Sequence, residues 1–133
     1  MRKILLTLGA LTAAVAAPAL GAAKADGETQ LARELEGRTA GEPVSCISLR
    51  DTRSSRIIKG TAIVYESGST LYVNRPRGAQ SLDGWDVLVT KLHGSSLCRM
   101  DSVQLYDPSA RMQTGFVILG DFVPYRKARP AGD

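Results

Sequence analysis

The chain has 133 residues, a formal charge of +4, 44% apolar residues, two cysteines and one histidine. That is enough for one small globular domain and too little for a multidomain enzyme or a polytopic membrane protein. With 23% charged residues and ample Val, Ile and Leu, wholesale disorder is excluded as well.

Met1-Arg2-Lys3 is a basic start, Ile4 to Ala17 is an uncharged apolar run, and Pro18 to Ala25 supplies small residues ending in Ala23-Lys24-Ala25. This is the pattern of a secretory signal peptide over residues 1–25, and it predicts a periplasmic or secreted protein. The apolar run is shorter than the roughly 20 residues that span a bilayer, so no stable membrane insertion is expected after cleavage. Cleavage removes Arg2, Lys3 and Lys24 but none of the 13 acidic residues, which all follow position 25. The mature chain is left close to neutral, and the electrostatic case for a nucleic-acid partner goes with the leader.

Residues 26–43 read as a polar linker carrying one short helix. Within it Glu28 to Glu36 places Leu31 and Leu35 on one face, and Gly37 stops the run. After Pro43 the pattern turns to β. Val44 to Leu49 is the first strand; Ile57-Ile58 leads through Gly60 into Thr61 to Glu66, which turns at Ser67-Gly68-Ser69 into Thr70 to Asn74. Arg75-Pro76-Arg77-Gly78 is a turn, and a loop with Leu82-Asp83-Gly84-Trp85 leads to a strand over Asp86 to Leu92. Leu97 to Tyr106 and Gly115 to Leu119 are further strands, then Phe122 to Tyr125, and residues 126–133 read as a flexible tail. Short strands joined by turn-rich loops predict a mainly β domain over 44–125, a small antiparallel sheet or partly closed barrel with a short N-terminal helix.

Cys46 and Cys98 are spaced unlike any C-x-x-C motif, and with His93 as the one added soft ligand a zinc site lacks its fourth partner. A thiol nucleophile is one reading; in an oxidising compartment a disulfide is the plainer one. Closing a loop of about 50 residues would stabilise by roughly 4 kcal/mol.

Several stretches carry a resemblance. Cys46-Ile47, Leu49 to Ile58, Leu71 to Pro76, Leu97 to Asp101 and Leu119 to Pro124 resemble an uncharacterised family of small exported proteins from Gram-negative bacteria, a domain of unknown function. The resemblance covers residues 44 to 125 and implies no activity. It does imply a pairing: similar chains carry two further cysteines, near Ala79 to Leu82 and just before Leu119, and their joint absence here leaves Cys46 and Cys98 to each other.

Candidate chemistry is thin. His93-Gly94-Ser95-Ser96 with Asp86 or Asp101 could be drawn as a hydrolytic triad, but no Gly-x-Ser-x-Gly elbow accompanies it. Asp83 and Asp86 flank Trp85, as a carboxylate pair beside a sugar platform would; the plainer expectation folds Trp85 over the core. Tyr65, Tyr72, Tyr106 and Tyr125 read as packing residues. No phosphate loop, dinucleotide fingerprint or metal-spaced histidine pair occurs, so no catalytic residue, cofactor or metal is expected.

Arg50, Arg53 and Arg56, with Lys59 beyond, form a cationic loop between two strands, a candidate for binding anionic envelope groups. The bland alternative pairs Arg50 or Arg56 with Asp51 or Glu66. The expected function is a non-enzymatic binding module in the cell envelope, its partner an unknown envelope component or protein. One rival is an inhibitor of a secreted hydrolase, since lysozyme inhibitors look similar in size, export and disulfide use. Their Ser-Gly-x-x-Tyr element is one residue too long here, in Ser67 to Tyr72. The other rival is a small hydrolase built on His93 or on Asp83 and Asp86.

Overall fold

The computed structural model describes residues 19–129, with side chains from Lys24 onward. The basic start and apolar run of the leader, and residues 130–133 of the tail, lie outside the described residues. Helix α1 (Ala19–Glu34) is followed by β1 (Arg38–Ala40), β2 (Cys46–Ser48), β3 (Thr52–Ile58), β4 (Ala62–Ser67), β5 (Thr70–Asn74) and a 3-10 turn (Ala79–Ser81). Then come β6 (Val87–Thr90), β7 (Ser96–Cys98), β8 (Ser102–Asp107), β9 (Met112–Ile118) and β10 (Phe122–Lys127).

All strand pairings are antiparallel, in a five-stranded sheet ordered β1-β10-β5-β4-β3, a three-stranded sheet β6-β8-β9 and a ribbon β2-β7. Among the described residues the fold is therefore mainly β with one α-helix near its N-terminal side, and no sheet closes into a barrel. Single bridges from Val44 to Phe122 and from Arg77 to Ile118 carry the chain between the sheets. The chain after β5 keeps pairing with the β9–β10 segment around the bend, which leaves β3 and β6 as facing, unjoined edges.

Alternation along β4 explains the layers. Ile63 and Tyr65 point into a core shared with Ile47, Leu97, Val103, Leu105, Val117 and Phe122, between the five-stranded sheet and the smaller sheets. Ala62 and Val64 point the other way, into a second core with Ile58, Leu71, Val73 and Leu31 of α1. Tyr65 meets Phe122 edge to face at 5.8 Å. Burial pushes the Tyr65 hydroxyl well above the ordinary tyrosine range.

The stretch expected to be a linker is thus a packed layer. Leu31 is 2% exposed, and Gly27 lies so close to the β3–β4 turn that an added Cβ would meet Thr61 Oγ1 and, at 2.6 Å, the Lys59 carbonyl. Gly37 takes φ +73° and turns the chain out of the helix into β1. The stretch expected as a tail from residue 126 is paired at its start: Arg126 and Lys127 pair with Thr39 and Arg38, and the Ala128 N–H donates to the Gly37 carbonyl at 3.2 Å. The run expected as one strand over 97–106 is two, broken where Met100 takes φ +73° and Asp101 Oδ2 accepts the Cys98 N–H at 2.7 Å.

Leu31→Ala is expected to cost about 2–4 kcal/mol in chemical denaturation, through a cavity between helix and sheet. Glu28 accepts two hydrogen bonds from the Arg75 guanidinium, at 2.6 and 3.0 Å, which hold its carboxyl below the usual glutamate range. A carboxyl depressed in the folded state adds stability above its unfolded pKa and loses it as pH falls. Denaturation from neutral to acidic pH should show that loss, reduced in Glu28→Gln; the pair is surface-exposed, so the difference is under about 1 kcal/mol.

Candidate functional site

Cys46 and Cys98 are bridged, their Cα atoms 4.0 Å apart as direct partners in the β2-β7 ribbon. Backbone bonds from Arg99 N to Ser45 O (2.7 Å) and from Leu49 N to Ser95 O (2.9 Å) flank a ribbon in which the cysteines occupy the closer, non-hydrogen-bonded position. Between them Ile47 and Leu97 enter the main core. Both cysteines are therefore structural, and neither is a free nucleophile.

The arginines are not gathered. Residues 52–58 form edge strand β3 and not a loop, and alternation divides its cations between positions. Arg56 faces the helix side, where its Nε donates to Glu34 at 2.6 Å and its Nη1 approaches Glu66 at 3.5 Å. Those bonds, Glu34 first, raise its already high pKa. Arg53 is the extra residue of a bulge between Thr52 and Ser54. Arg50 precedes the strand and Lys59 follows it, with about 20 Å of strand between Arg53 and Lys59. No single phosphate or carboxylate can meet all four.

His93 is exposed and lines a surface depression of about 550 Å³ with Lys91, Ser95, Ser96, Asp101 and Gln104. Among the described residues it makes no hydrogen bond to a serine or a carboxylate. Asp101 is committed to the Cys98 amide, and Asp86 accepts the Thr114 hydroxyl at 2.8 Å near the opposite end of β6. No nucleophile, base and orienting acid meet. Likewise, among the described residues no three acidic, histidine or cysteine side chains gather as a metal would require.

Trp85 departs from expectation in the opposite sense: it is 84% exposed and not folded over the core. It stands at the entrance to β6, beside a depression of about 370 Å³ lined by Asp83, Asp86, Asp107, Ser109 and Thr114. After Trp85, the outer side of the three-stranded sheet carries an apolar surface of its own. Val87 lies opposite Tyr106, which faces Gln113; Val89 lies opposite Gln104, which faces Phe116; one step on, Ser102 faces Ile118. The inward side chains of the same strands, Val103, Leu105 and Val117, fill the core. Outside, Val87, Val89 and Phe116 remain 49%, 41% and 59% exposed.

One sign of this face was in the sequence. Val87-Leu88-Val89 and Phe116-Val117-Ile118 are continuous apolar runs where a half-buried strand should alternate. Continuous runs suit a strand covered on both sides, and here the structure covers only one. No family model, curated protein or solved structure matches the chain.

Reduction of the disulfide, or Cys46→Ala with Cys98→Ala, is expected to lower stability by about 2–5 kcal/mol. Thiol titration of the unreduced, denatured protein should find no free thiol. Two titratable thiols would overturn the assignment.

Proposed function

We propose that the protein is an exported, non-enzymatic binding module of the cell envelope, and that it recognises its partner through the outer face of the β6-β8-β9 sheet. The observation that carries this reading is the exposed Val87, Val89 and Phe116 around Gln104 and Tyr106, with exposed Trp85 in the turn just before β6. Monomeric proteins seldom leave a contiguous apolar patch uncovered, and a surface rich in aromatics and poor in charge is the composition of interface centres. Export is supported by the leader pattern and by the disulfide, which an oxidising compartment maintains. No helix among the described residues is long and apolar enough to cross a membrane.

The inhibitor reading fares worse. Gly68 and Ser69 are the two central residues of a tight turn between β4 and β5, with Gly68 at φ +59°. Tyr72, which would complete the inhibitory element, packs against the main core. The arginine segment also loses ground to the sheet face, because Arg56 is engaged by two carboxylates of its own chain.

Parent protein and a Phe116→Ser variant, immobilised side by side, should differ in what they retain from envelope extract. A partner held by the parent and lost from Phe116→Ser supports the sheet face, and Arg50→Ala with Arg53→Ala should retain it. Equal retention by parent and Phe116→Ser overturns the reading. Intact mass of the exported protein should show a start between Ala23 and Asp26, and a species keeping residues 1–22 would refute export with cleavage.

A further inference from the structure

The edges of the described sheets are not equally protected. β1 is three residues long and begins with Arg38. β3 carries a bulge and two arginines, and β9 meets Arg77 at Ile118. Short length, bulges and charged side chains are the usual means by which an edge avoids pairing with another chain. β6 has only the first of them. It reads Val87-Leu88-Val89-Thr90, with no charge, proline or bulge, and it pairs with β8 alone. Across from its free side stands β3, separated by a groove of about 350 Å³ lined by Ser55, Ile57, Asp86, Val87 and Leu88.

We infer that β6 pairs antiparallel with β6 of a second copy, about a two-fold axis through Leu88. Facing residues in a sheet must lie on the same side of it, so Val87 can face Val87 or Val89 of the second copy but not Leu88. Centring on Leu88 overlaps Val87, Leu88 and Val89 and sets Val87 against Val89 in both halves of the contact, with Thr90 opposite Asp86 beyond them. It also joins unlike ends. Trp85 and the carboxylates of Asp83 and Asp86 stand before β6, and Lys91 stands after it. The two-fold therefore brings Trp85 opposite Lys91 of the second copy, twice, an ammonium beside an exposed indole with acidic neighbours. Shifting the axis by one residue either way loses this match.

A residue faces its own kind or its reciprocal partner, as a closed two-fold contact demands. Three overlapping strand residues and these side-chain pairs make a small interface, so the association is weak and reversible. It leaves Phe116 and Tyr106 free and doubles the outer sheet face, so it does not depend on what that face recognises.

The test is sedimentation velocity on the disulfide-intact protein from about 1 to about 500 μM. The parent should move from monomer to dimer across this range. Val89→Lys and Val87→Glu, both at exposed positions, should each stay monomeric with an unchanged circular dichroism spectrum. Mixed together they should form a heterodimer, because the carboxylate of Val87→Glu in one copy then faces the ammonium of Val89→Lys in the other. A parent that stays monomeric throughout, or a Val89→Lys variant that still dimerises, overturns the inference. Failure of the mixture to associate, with a parent that dimerises, overturns the register.

Discussion

Because Ala62, Ile63, Val64 and Tyr65 are all buried, β4 needs a layer on each side of it. Burying side chains of this size contributes about 1.5–3 kcal/mol each for the larger ones, and only if both faces are covered. The smaller sheets supply one cover and α1 supplies the other. The helix has little affinity of its own for a sheet: its buried contact centres on Leu31 and half-buried Leu35. It docks because Gly27 admits the backbone to the β3–β4 turn and because Glu28 and Glu34 hold Arg75 and Arg56. The cationic segment is thus drawn into the architecture, where one of its arginines fastens the helix to the edge strand.

The bend between the sheets has a similar logic. Buried Asn74 donates its side-chain amide to the Gly120 carbonyl at 2.8 Å and accepts the Gly120 N–H at 3.0 Å. A side chain standing in for a ladder partner lets β5 and the β9–β10 segment change sheets without leaving polar groups unpaired in the core. Gly120 fits because an added Cβ would come within 3.0 Å of the Arg75 carbonyl.

Much of the fold was legible in the sequence, and the exceptions have physical causes. Apolar strands bounded by glycine turns, such as 61–66 and 70–74, were read close to where they lie. β3 was not, because Thr52-Arg53-Ser54-Ser55-Arg56 is polar on both faces at an exposed edge, so its pairing with β4 leaves no hydrophobic period. β1 and the end of β10 were missed for the same reason: Arg38, Thr39, Arg126 and Lys127 pair through their backbones at the margin. The disulfide was legible from the leader pattern and the number of cysteines. Of the candidate recognition surface only the continuous runs of β6 and β9 were legible, since an exposed Trp85 and a buried one look alike until the loop that carries it is placed. His93 and the arginines were chosen for their chemistry, and the fold sets the first on an open rim and disperses the second.

The Cys46–Cys98 bridge has a topological consequence beyond folding. It closes a covalent ring that contains β3, β4, β5 and β6, while α1, β1, β8, β9 and β10 hang from the ring as two arms. The exposed stretch Lys91 to Ser96 lies inside the ring, at the rim of the surface depression that His93 lines. A protease that cuts there severs the peptide chain but separates nothing, because the two pieces remain joined through sulfur and through the β6-β8 ladder. Such a nicked molecule keeps its mass, apart from one added water, and divides into two fragments only under denaturing, reducing conditions.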